Sequence, residues 1–176
     1  MSAVTLVIGH RWDGAVLPTA GRSSLRIGWA DDALQIEVDA AFGGSAPPPG
    51  PAGPTAKLWE HEVVELFVVG DAEDPVRYTE IELSPHGHHL VLQLEGVRNI
   101  VAEQLPLRWV APPVVEGDRW RAVAAVGRAL LPARPVRCNA YRVAGAGPTR
   151  TWEAMVAVPG DKPDFHQLDR FAPWPL

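Results

Sequence analysis

The sequence has very little cysteine, no long apolar run and no dense cluster of basic residues. Its single cysteine, Cys138, excludes an internal disulfide and any cysteine-rich zinc site. The apolar runs are far shorter than the ~20 residues that cross a bilayer. Lysine and arginine number 16 against 21 acidic residues, a net charge of −5, whereas nucleic-acid-binding domains usually carry a basic patch. We therefore expect neither a nucleic-acid nor a membrane partner.

Residues 1–12 lack the basic region that opens a secretory signal peptide, and the apolar stretch within them, residues 4–8, is short. We therefore expect a cytoplasmic protein. All but two of the 16 basic residues are arginine, the exceptions being Lys57 and Lys162, and alanine and proline are abundant. This bias indicates a GC-rich bacterial genome.

The length of 176 residues predicts one domain, residues 1–176, because domains usually hold roughly 100–200 residues. Residues 43–56 are rich in proline and glycine, so we expect a loop that does not join a sheet. The C-terminal tail, residues 160–176, carries several apolar side chains, among them Phe165, Leu168 and Phe171. These anchors predict a tail that packs on the body of the domain.

Most of the chain alternates apolar and polar residues with the period of two that is typical of β-strands. Residues 25–29 and 34–39 alternate on either side of Asp31-Asp32, which predicts a hairpin. The best helix signal, residues 127–131, ends at Pro132. Further strands are predicted at residues 63–69, 78–84, 89–94, 120–126, 138–144 and 151–158. The sequence therefore predicts an all-β, antiparallel two-sheet β-sandwich with little helix.

Residues 58–67 (LWEHEVVELF) place a carboxyl group inside an apolar run. If the whole segment is a strand, Trp59, His61, Val63, Glu65 and Phe67 share one face. A buried carboxylate at Glu65 would need a cation or several hydrogen-bond donors, or its pKa would rise.

Three later strands add charged side chains. Glu80 and Glu82 share one face of their strand, and Arg142 and Glu153 lie in two others. If these strands are neighbours, two or three carboxylates surround one arginine. We predict that Arg142 pairs with Glu65, directly or through Glu80 or Glu82.

This cluster has three interpretations. It is a ligand platform, in which Trp59 or Trp152 stacks on a sugar ring and the charged groups bind its hydroxyls. It is a structural ion network that fixes strand register. Or it is a glycosidase pair, Glu65 with Glu80 or Glu82, since such enzymes need two carboxylates ~5–10 Å apart.

The histidines have two possible roles as well. His86, His88 and His89 sit at a predicted turn, where they either bind a metal or are solvated; no fourth ligand follows at a recognisable spacing. His166 lies between apolar residues beside Asp164, which favours a packed, hydrogen-bonded side chain. We predict that the folded-back tail brings His166 near Trp59, Glu65 and Arg142.

Residues 58–67 and 78–87 (YTEIELSPHG) together resemble the family 9 carbohydrate-binding modules and the related DOMON-like β-sandwiches. Trp120, residues 139–142 (NAYR), 152–153 (WE) and 163–166 (PDFH) fit the same pattern. Residues 86–92 (HGHHLVL) and 98–99 (RN) look closer still to a family of unassigned activity with animal and bacterial members.

The resemblance implies a jelly-roll-like sandwich that binds sugar through two tryptophans with acidic and amide partners, often with structural calcium. Related DOMON domains bind haem, but the sequence shows no recognisable pair of axial ligands. We predict a non-catalytic binding module for a carbohydrate or similar small polyol. The alternatives are a small carbohydrate-acting enzyme with a glutamate pair and a protein-interaction scaffold. The predicted ligand-binding residues are Trp59, Glu65, Glu80, Glu82, Arg142, Trp152, Glu153 and His166.

Overall fold

The computed structural model describes residues 3–71 and 75–176 and contains two antiparallel β-sheets. The predicted all-β sandwich is confirmed. No α-helix occurs in the described ranges, and the helical turns are short 3-10 segments at 19–21, 58–60, 128–130, 147–149 and 168–170. Within these ranges no helix is long and apolar enough to cross a membrane.

The smaller sheet has five strands in the order β1-β3-β4-β10-β9. Asp31 takes a left-handed φ of 52° in the tight turn between β3 and β4, so the predicted hairpin is confirmed. The strands are β1 (Ala3–Ile8), β3 (Ser23–Ala30), β4 (Ala33–Ala41), β9 (Arg108–Glu116) and β10 (Arg119–Gly127).

The larger sheet follows the order β2-β12-β11-β5-β6-β7-β8, and β13 pairs with β11 beside that path. Its strands are β2 (His10–Arg11), β5 (Val63–Gly70), β6 (Arg77–Leu83), β7 (His89–Glu95), β8 (Ile100–Ala102), β11 (Pro135–Ala144), β12 (Thr151–Ala154) and β13 (Ala172–Pro173).

Strand β5 is buried along its whole length because both faces of the large sheet are covered. Its inner face, with Val64 and Leu66, meets the apolar side chains of the small sheet. Its outer face, with Val63 and Phe67, meets the C-terminal tail, whose Leu168 and Phe171 are buried there. The tail therefore forms a third layer over the centre of the large sheet.

Two expectations about local structure were wrong. Val110, Pro112 and Pro113 belong to β9, which the sequence analysis did not predict; β9 is an edge strand, where proline removes no ladder hydrogen bond. The turn histidines His88 and His89 are buried rather than solvated.

The proline-rich loop explains the burial of these histidines. The backbone N–H of Thr55 donates a hydrogen bond to the His89 carbonyl (2.9 Å), and the backbone N–H of His89 donates one to the Gly53 carbonyl (3.0 Å). Pro54 and His89 thereby form a single parallel β-bridge. Thr55 Oγ1 lies 2.7 Å from His88 Nδ1. The loop therefore covers the start of β7 and attaches to the sheet at one point, where no attachment was expected.

Candidate functional site

A cavity of about 430 Å³ lies on the outer face of the large sheet, between the strands and the tail. We call it the outer cavity. Its walls combine four aromatic rings with carboxyl, guanidinium and imidazole groups. The lining residues are Trp59, Glu65, Phe67, Glu80, Leu94, Arg98, Ile100, Val143, Arg150, Trp152, Pro163, Phe165 and His166.

The floor of the outer cavity is set by the register of β5 against β6. Glu65 pairs across with Glu82, and Phe67 pairs across with Glu80. Because directly opposed residues point to the same side of an antiparallel sheet, all three glutamates lie on the outer face. Glu65 is 2% exposed, Glu80 4% and Glu82 0%. We call these three residues the outer carboxyl cluster.

Burial raises the pKa of each member of the outer carboxyl cluster. The pKa of Glu80 rises from its ordinary 4.5 to about 7, because burial outweighs the lowering effects of Glu82 and Arg98. Burial is also the main cause of the raised pKa of Glu65, followed by repulsion from Glu80. For Glu82, burial is followed by repulsion from Glu65 and Glu80.

The hydrogen bonding of Glu82 shows where a proton is held. Neither side-chain oxygen of Glu82 has a hydrogen-bond partner among the described residues. A protonated Glu82 can donate a hydrogen bond to Glu80, which raises the pKa of Glu82 and lowers that of Glu80. The raised pKa values therefore favour a protonated carboxyl within the cluster.

Two arginines line the outer cavity, and both have partners elsewhere. Arg98 Nη2 donates to Asp164 Oδ1 at 2.7 Å. Arg150 Nη1 donates to the backbone carbonyl of Glu60 at 2.7 Å, and its Nη2 donates to that of Trp59. Arg150 lowers the pKa of Glu65, but burial and Glu80 outweigh this effect. Neither guanidinium forms an ion pair with the outer carboxyl cluster.

Trp59 and Trp152 approach the outer cavity from different elements. Trp59 lies in the 3-10 turn Leu58–Glu60 rather than in a strand, since β5 begins only at Val63. Trp152 belongs to β12, and the guanidinium of Arg150 lies 5.7 Å from its ring centroid. Both indoles are half-buried, so each has surface left to meet a ligand.

The tail closes one side of the outer cavity through aromatic contacts. Phe165 stacks on Tyr141 with ring centroids 3.8 Å apart, and Tyr141 Oη donates to the Phe165 carbonyl at 3.1 Å. His166 Nδ1 lies 2.8 Å from Tyr78 Oη. Burial lowers the pKa of His166 to about 4, so the imidazole is neutral near pH 7, and its tautomer decides whether Nδ1 accepts a hydrogen bond from Tyr78 Oη or donates one to it.

Arg142 lies on the opposite face of the large sheet, so the prediction that it pairs with Glu65 is wrong. The residue opposite Glu65 on β11 is Tyr141, and its neighbour Arg142 points to the inner face. Arg142 forms ion pairs with Glu62 (3.2 Å) and Glu153 (3.0 Å), all three buried. Glu62, Arg142 and Glu153 form what we call the inner ion-pair network.

The inner ion-pair network connects the two sheets and the proline-rich loop. Arg142 Nε donates to the carbonyl of Ala41 at the end of β4 (2.9 Å), and Glu62 accepts hydrogen bonds from the backbone N–H groups of Gly43 (2.5 Å) and Ser45 (3.2 Å). Every charge in the network has partners. The inner network is therefore a structural ion network of the kind that the sequence suggested around Arg142, but its carboxylates are Glu62 and Glu153.

The structure therefore separates the eight predicted site residues into two groups. Five line the outer cavity, and Glu82 lies directly behind them; Arg142 and Glu153 belong to the inner ion-pair network. The five are Trp59, Glu65, Glu80, Trp152 and His166. Arg98 and Arg150 in the cavity and Glu62 in the network were not among the residues predicted from the sequence. Glu62 has the strand parity of Val64, which is the signal that could have placed it on the inner face.

No group of three or more His, Cys, Asp or Glu side chains in residues 3–71 and 75–176 is arranged to hold a metal ion. The structural calcium that the sequence resemblance implies stays a prediction. His86 Nε2 bonds to the Ser45 carbonyl at 2.8 Å, and His88 bonds to Thr55. The turn histidines serve to hold the proline-rich loop.

The architecture and the outer cavity define the class of the protein: a two-sheet antiparallel β-sandwich with an aromatic and carboxyl-lined cavity on one outer face. The chain belongs to the UPF0462 family. It is 34% identical over 176 residues to the mouse UPF0462 protein C4orf33 homolog, covering 95% of this chain and 88% of the mouse protein. The zebrafish homolog is 34% identical over 180 residues (96% and 87%), and the human protein is 34% identical over 174 residues (93% and 84%).

Two further comparisons concern family and fold. No protein-family model matches the chain. A solved structure from Bacteroides uniformis, described as a "putative carbohydrate-binding protein", superposes with a TM-score of 0.62 at 16% identity, covering 86% of this chain and 76% of that one. This similarity supports the fold alone, and the relationship to family 9 modules and DOMON domains stays a prediction. The matching curated relatives are animal proteins, so the bacterial origin also stays a prediction.

Proposed function

We propose that the outer cavity binds a carbohydrate or a similar small polyol without changing it chemically. The observation that carries the proposal is the joint presence of Trp59, Trp152, Glu65 and Glu80 in one cavity. A sugar ring offers an apolar C–H face, which an indole can cover, and hydroxyls that both donate and accept hydrogen bonds. The volume of about 430 Å³ is typical of small-molecule sites, which span ~300–1,000 Å³.

The protonation of the floor also suits hydroxyl groups. A protonated carboxyl donates one hydrogen bond and still accepts others, whereas an ionised one only accepts. Because the pKa of Glu80 is about 7, Glu80 exists in both forms near neutral pH. The neighbouring structure from Bacteroides uniformis, described as carbohydrate-binding, is consistent with such a ligand.

A carbohydrate-acting enzyme is the second candidate, because the pKa of Glu80 lies in the range of a general acid. A glycosidase also needs a second carboxylate that is ionised, as nucleophile or base. Glu65 and Glu82 have raised pKa values as well, so neither supplies that group readily. The electrostatics therefore favour binding over hydrolysis.

The test is a screen of monosaccharides and disaccharides by thermal shift, followed by calorimetric titration. A sugar at 100 times its Kd should add about 2.7 kcal/mol to the free energy of unfolding. Trp59→Ala and Trp152→Ala should each weaken binding about tenfold or more. The control is Trp29→Ala, because Trp29 lies on the small sheet and contacts Arg128.

Three results would contradict the proposal. A chain that no sugar stabilises is a scaffold without a carbohydrate ligand. Equal losses of affinity in Trp29→Ala and Trp59→Ala would place the ligand elsewhere. Steady release of monosaccharide from a disaccharide, lost in Glu80→Gln, would show the enzyme instead.

A further inference from the structure

The outer carboxyl cluster differs from the inner ion-pair network in having no ion-paired cation: Arg150 and Arg98 lower the pKa of Glu65 and Glu80 without forming an ion pair with them. Arg142 forms ion pairs with both glutamates of the network. Glu65 and Glu80, at 2% and 4% exposure, form no ion pair within the described ranges, although both reach the outer cavity. Burial of a carboxyl without a partner is costly, and its partner is normally a cation. The cavity is the place from which a cation could reach them.

We infer that the ligand carries a protonated amine, so that the outer cavity recognises an amino sugar or a similar hydroxylated amine. This inference rests on the proposed function, since the hydroxylated part of the ligand is what Trp59 and Trp152 cover there. The ammonium group contacts Glu65 and Glu80 at the floor. It occupies the role that Arg142 has on the opposite face of the same sheet.

The aromatic walls suit a cation as well as a sugar ring. Trp59, Trp152, Phe67 and Phe165 line the same cavity as Glu65 and Glu80. The face of an aromatic ring attracts a cation within ~6 Å, most strongly for tryptophan. A neutral polyol would use the carboxyl groups and aromatic rings of this site only in part, whereas a hydroxylated amine could use both.

No arginine that lines the cavity forms an ion pair with the carboxyl groups of the floor, so a ligand cation can do so. Arg98 is paired with Asp164, and Arg150 is bound to backbone carbonyls. The other titratable groups that face the floor are Tyr78 and Tyr141 from the sheet and His166 from the tail, and at neutral pH these are uncharged. The carboxyls therefore supply the negative charge that the ammonium meets.

Binding must release a proton, and this gives a signature that a neutral sugar lacks. The ammonium group arrives with its own proton, and a neutral carboxyl at Glu65 or Glu80 becomes a carboxylate as its proton passes to solvent. One carboxyl O–H bond breaks, one buffer molecule is protonated, and no redox partner is involved.

The experiment is calorimetric titration with D-glucosamine, D-glucose and cyclohexylamine at about pH 6.5. Each titration is run in two buffers of different ionisation enthalpy, so that the number of released protons is measured directly. We expect D-glucosamine to bind about tenfold or more tightly than D-glucose and to release protons. Glu65→Gln and Glu80→Gln should abolish that preference, since glutamine keeps the size and hydrogen bonding of the side chain but not its charge.

The matched control is Glu37→Gln, because Glu37 lies on β4 of the other sheet and pairs with Arg26 at the surface. It should leave the preference for D-glucosamine intact.

The outcomes separate the two proposals. If D-glucose binds as tightly as D-glucosamine with no proton released, the amine inference is wrong while the proposed function stands. If cyclohexylamine binds and both sugars fail, the carbohydrate function is wrong while the recognition of an amine stands. If none of the three binds, both are wrong.

Discussion

On the inner face of the large sheet, Glu62 and Glu153 share the guanidinium of Arg142. On the outer face, Glu65, Glu80 and Glu82 have no such partner, and burial raises the pKa of each. The two sets lie on neighbouring strands and are similarly buried, so burial alone does not separate them. What differs is an ion-paired cation, because Arg98 and Arg150 line the outer cavity but have their partners elsewhere. The inner carboxylates are satisfied by ion pairs within the protein. The outer carboxyl groups have no ion pair and border a cavity, so they are suited to bind a ligand.

The largest effect is expected from removing the inner cation. Arg142→Met keeps the length and apolar volume of the side chain but leaves Glu62 and Glu153 buried without a counter-charge. Breaking a buried ion pair in this way typically costs about 3–5 kcal/mol. Urea denaturation monitored by tryptophan fluorescence measures the free energy of unfolding.

Two comparisons sharpen that result. Adding Glu62→Gln and Glu153→Gln to Arg142→Met should recover part of the loss, because no unpaired charge remains. Arg26→Met removes an exposed pair with side-chain exposures of 53% and 39%, and should cost less than about 1 kcal/mol. An Arg142→Met loss as small as that of Arg26→Met would show that the inner network is solvated.

The next effect is a fall in stability as the pH rises. The pKa values of Glu65, Glu80 and Glu82 are raised in the folded chain, so the unfolded chain loses their protons first as the pH rises above 4.5. Each carboxyl that stays protonated in the folded chain therefore costs ~1.4 kcal/mol per pH unit above its unfolded pKa. With a folded pKa of about 7, Glu80 alone should lower the free energy of unfolding by about 1 kcal/mol between about pH 6.5 and 8.5, and the raised pKa values of Glu65 and Glu82 add to that loss.

That window isolates the outer carboxyl cluster. The lowered pKa of His166 works in the opposite sense, because its stability contribution is lost only as the pH falls below its unfolded value of 6.5. The raised pKa of Cys138 and those of the two tyrosines act only above pH 9.0. Denaturation curves of wild type and of a Glu65→Gln, Glu80→Gln, Glu82→Gln variant test this. A wild-type curve as flat as that of the variant contradicts raised pKa values.

A smaller effect is expected from Glu82 alone. Glu82→Gln removes an ionisable group with no exposure, while its amide can still donate a hydrogen bond to Glu80. The variant should be more stable than wild type by about 1–2 kcal/mol at about pH 8.5 and nearly equal to it at about pH 5. Thermal melts at both pH values measure this, and destabilisation at the higher pH would mean that Glu82 has a cation partner.

The smallest effect concerns the attachment of the tail over the outer cavity. Tyr78 Oη accepts a hydrogen bond from the backbone N–H of Arg98 (2.9 Å) and forms a second hydrogen bond with His166 Nδ1 (2.8 Å). Tyr78→Phe removes both bonds and should cost about 1–2 kcal/mol, because their partners lie in a partly buried region. Equilibrium urea denaturation measures the loss; a variant as stable as wild type would show that water replaces the hydroxyl.

The period of two predicted much of this arrangement. It placed Glu65 with Phe67, and Glu80 with Glu82, on shared faces, because side chains alternate strictly along a strand. It could not place Arg142, since the register of β11 against β5 is decided by pairing between distant parts of the chain. A shift of one residue in that register moves Arg142 from one face of the sheet to the other.

The positions of Arg150 and Trp59 could not be predicted from the sequence either. Trp59 reaches the cavity from a 3-10 turn whose Lys57 N-cap has a left-handed φ of 55°, a conformation that strand periodicity does not predict. Arg150 is positioned by hydrogen bonds to the carbonyls of the same turn, more than 80 residues away along the chain. Such contacts follow from the folded structure and have no local signal.

The most direct test of the outer carboxyl cluster is a carbon-13 NMR titration of the glutamate side-chain carboxyl carbons, with Glu80 assigned through Glu80→Gln. In the free chain, Glu80 should titrate with a midpoint at about pH 7. Saturating D-glucosamine should move that midpoint downward by about one pH unit or more, because a nearby cation favours the ionised form, and D-glucose should not. A Glu80 midpoint near 4.5 in the free chain would contradict the cluster of buried carboxyls that lack a cation.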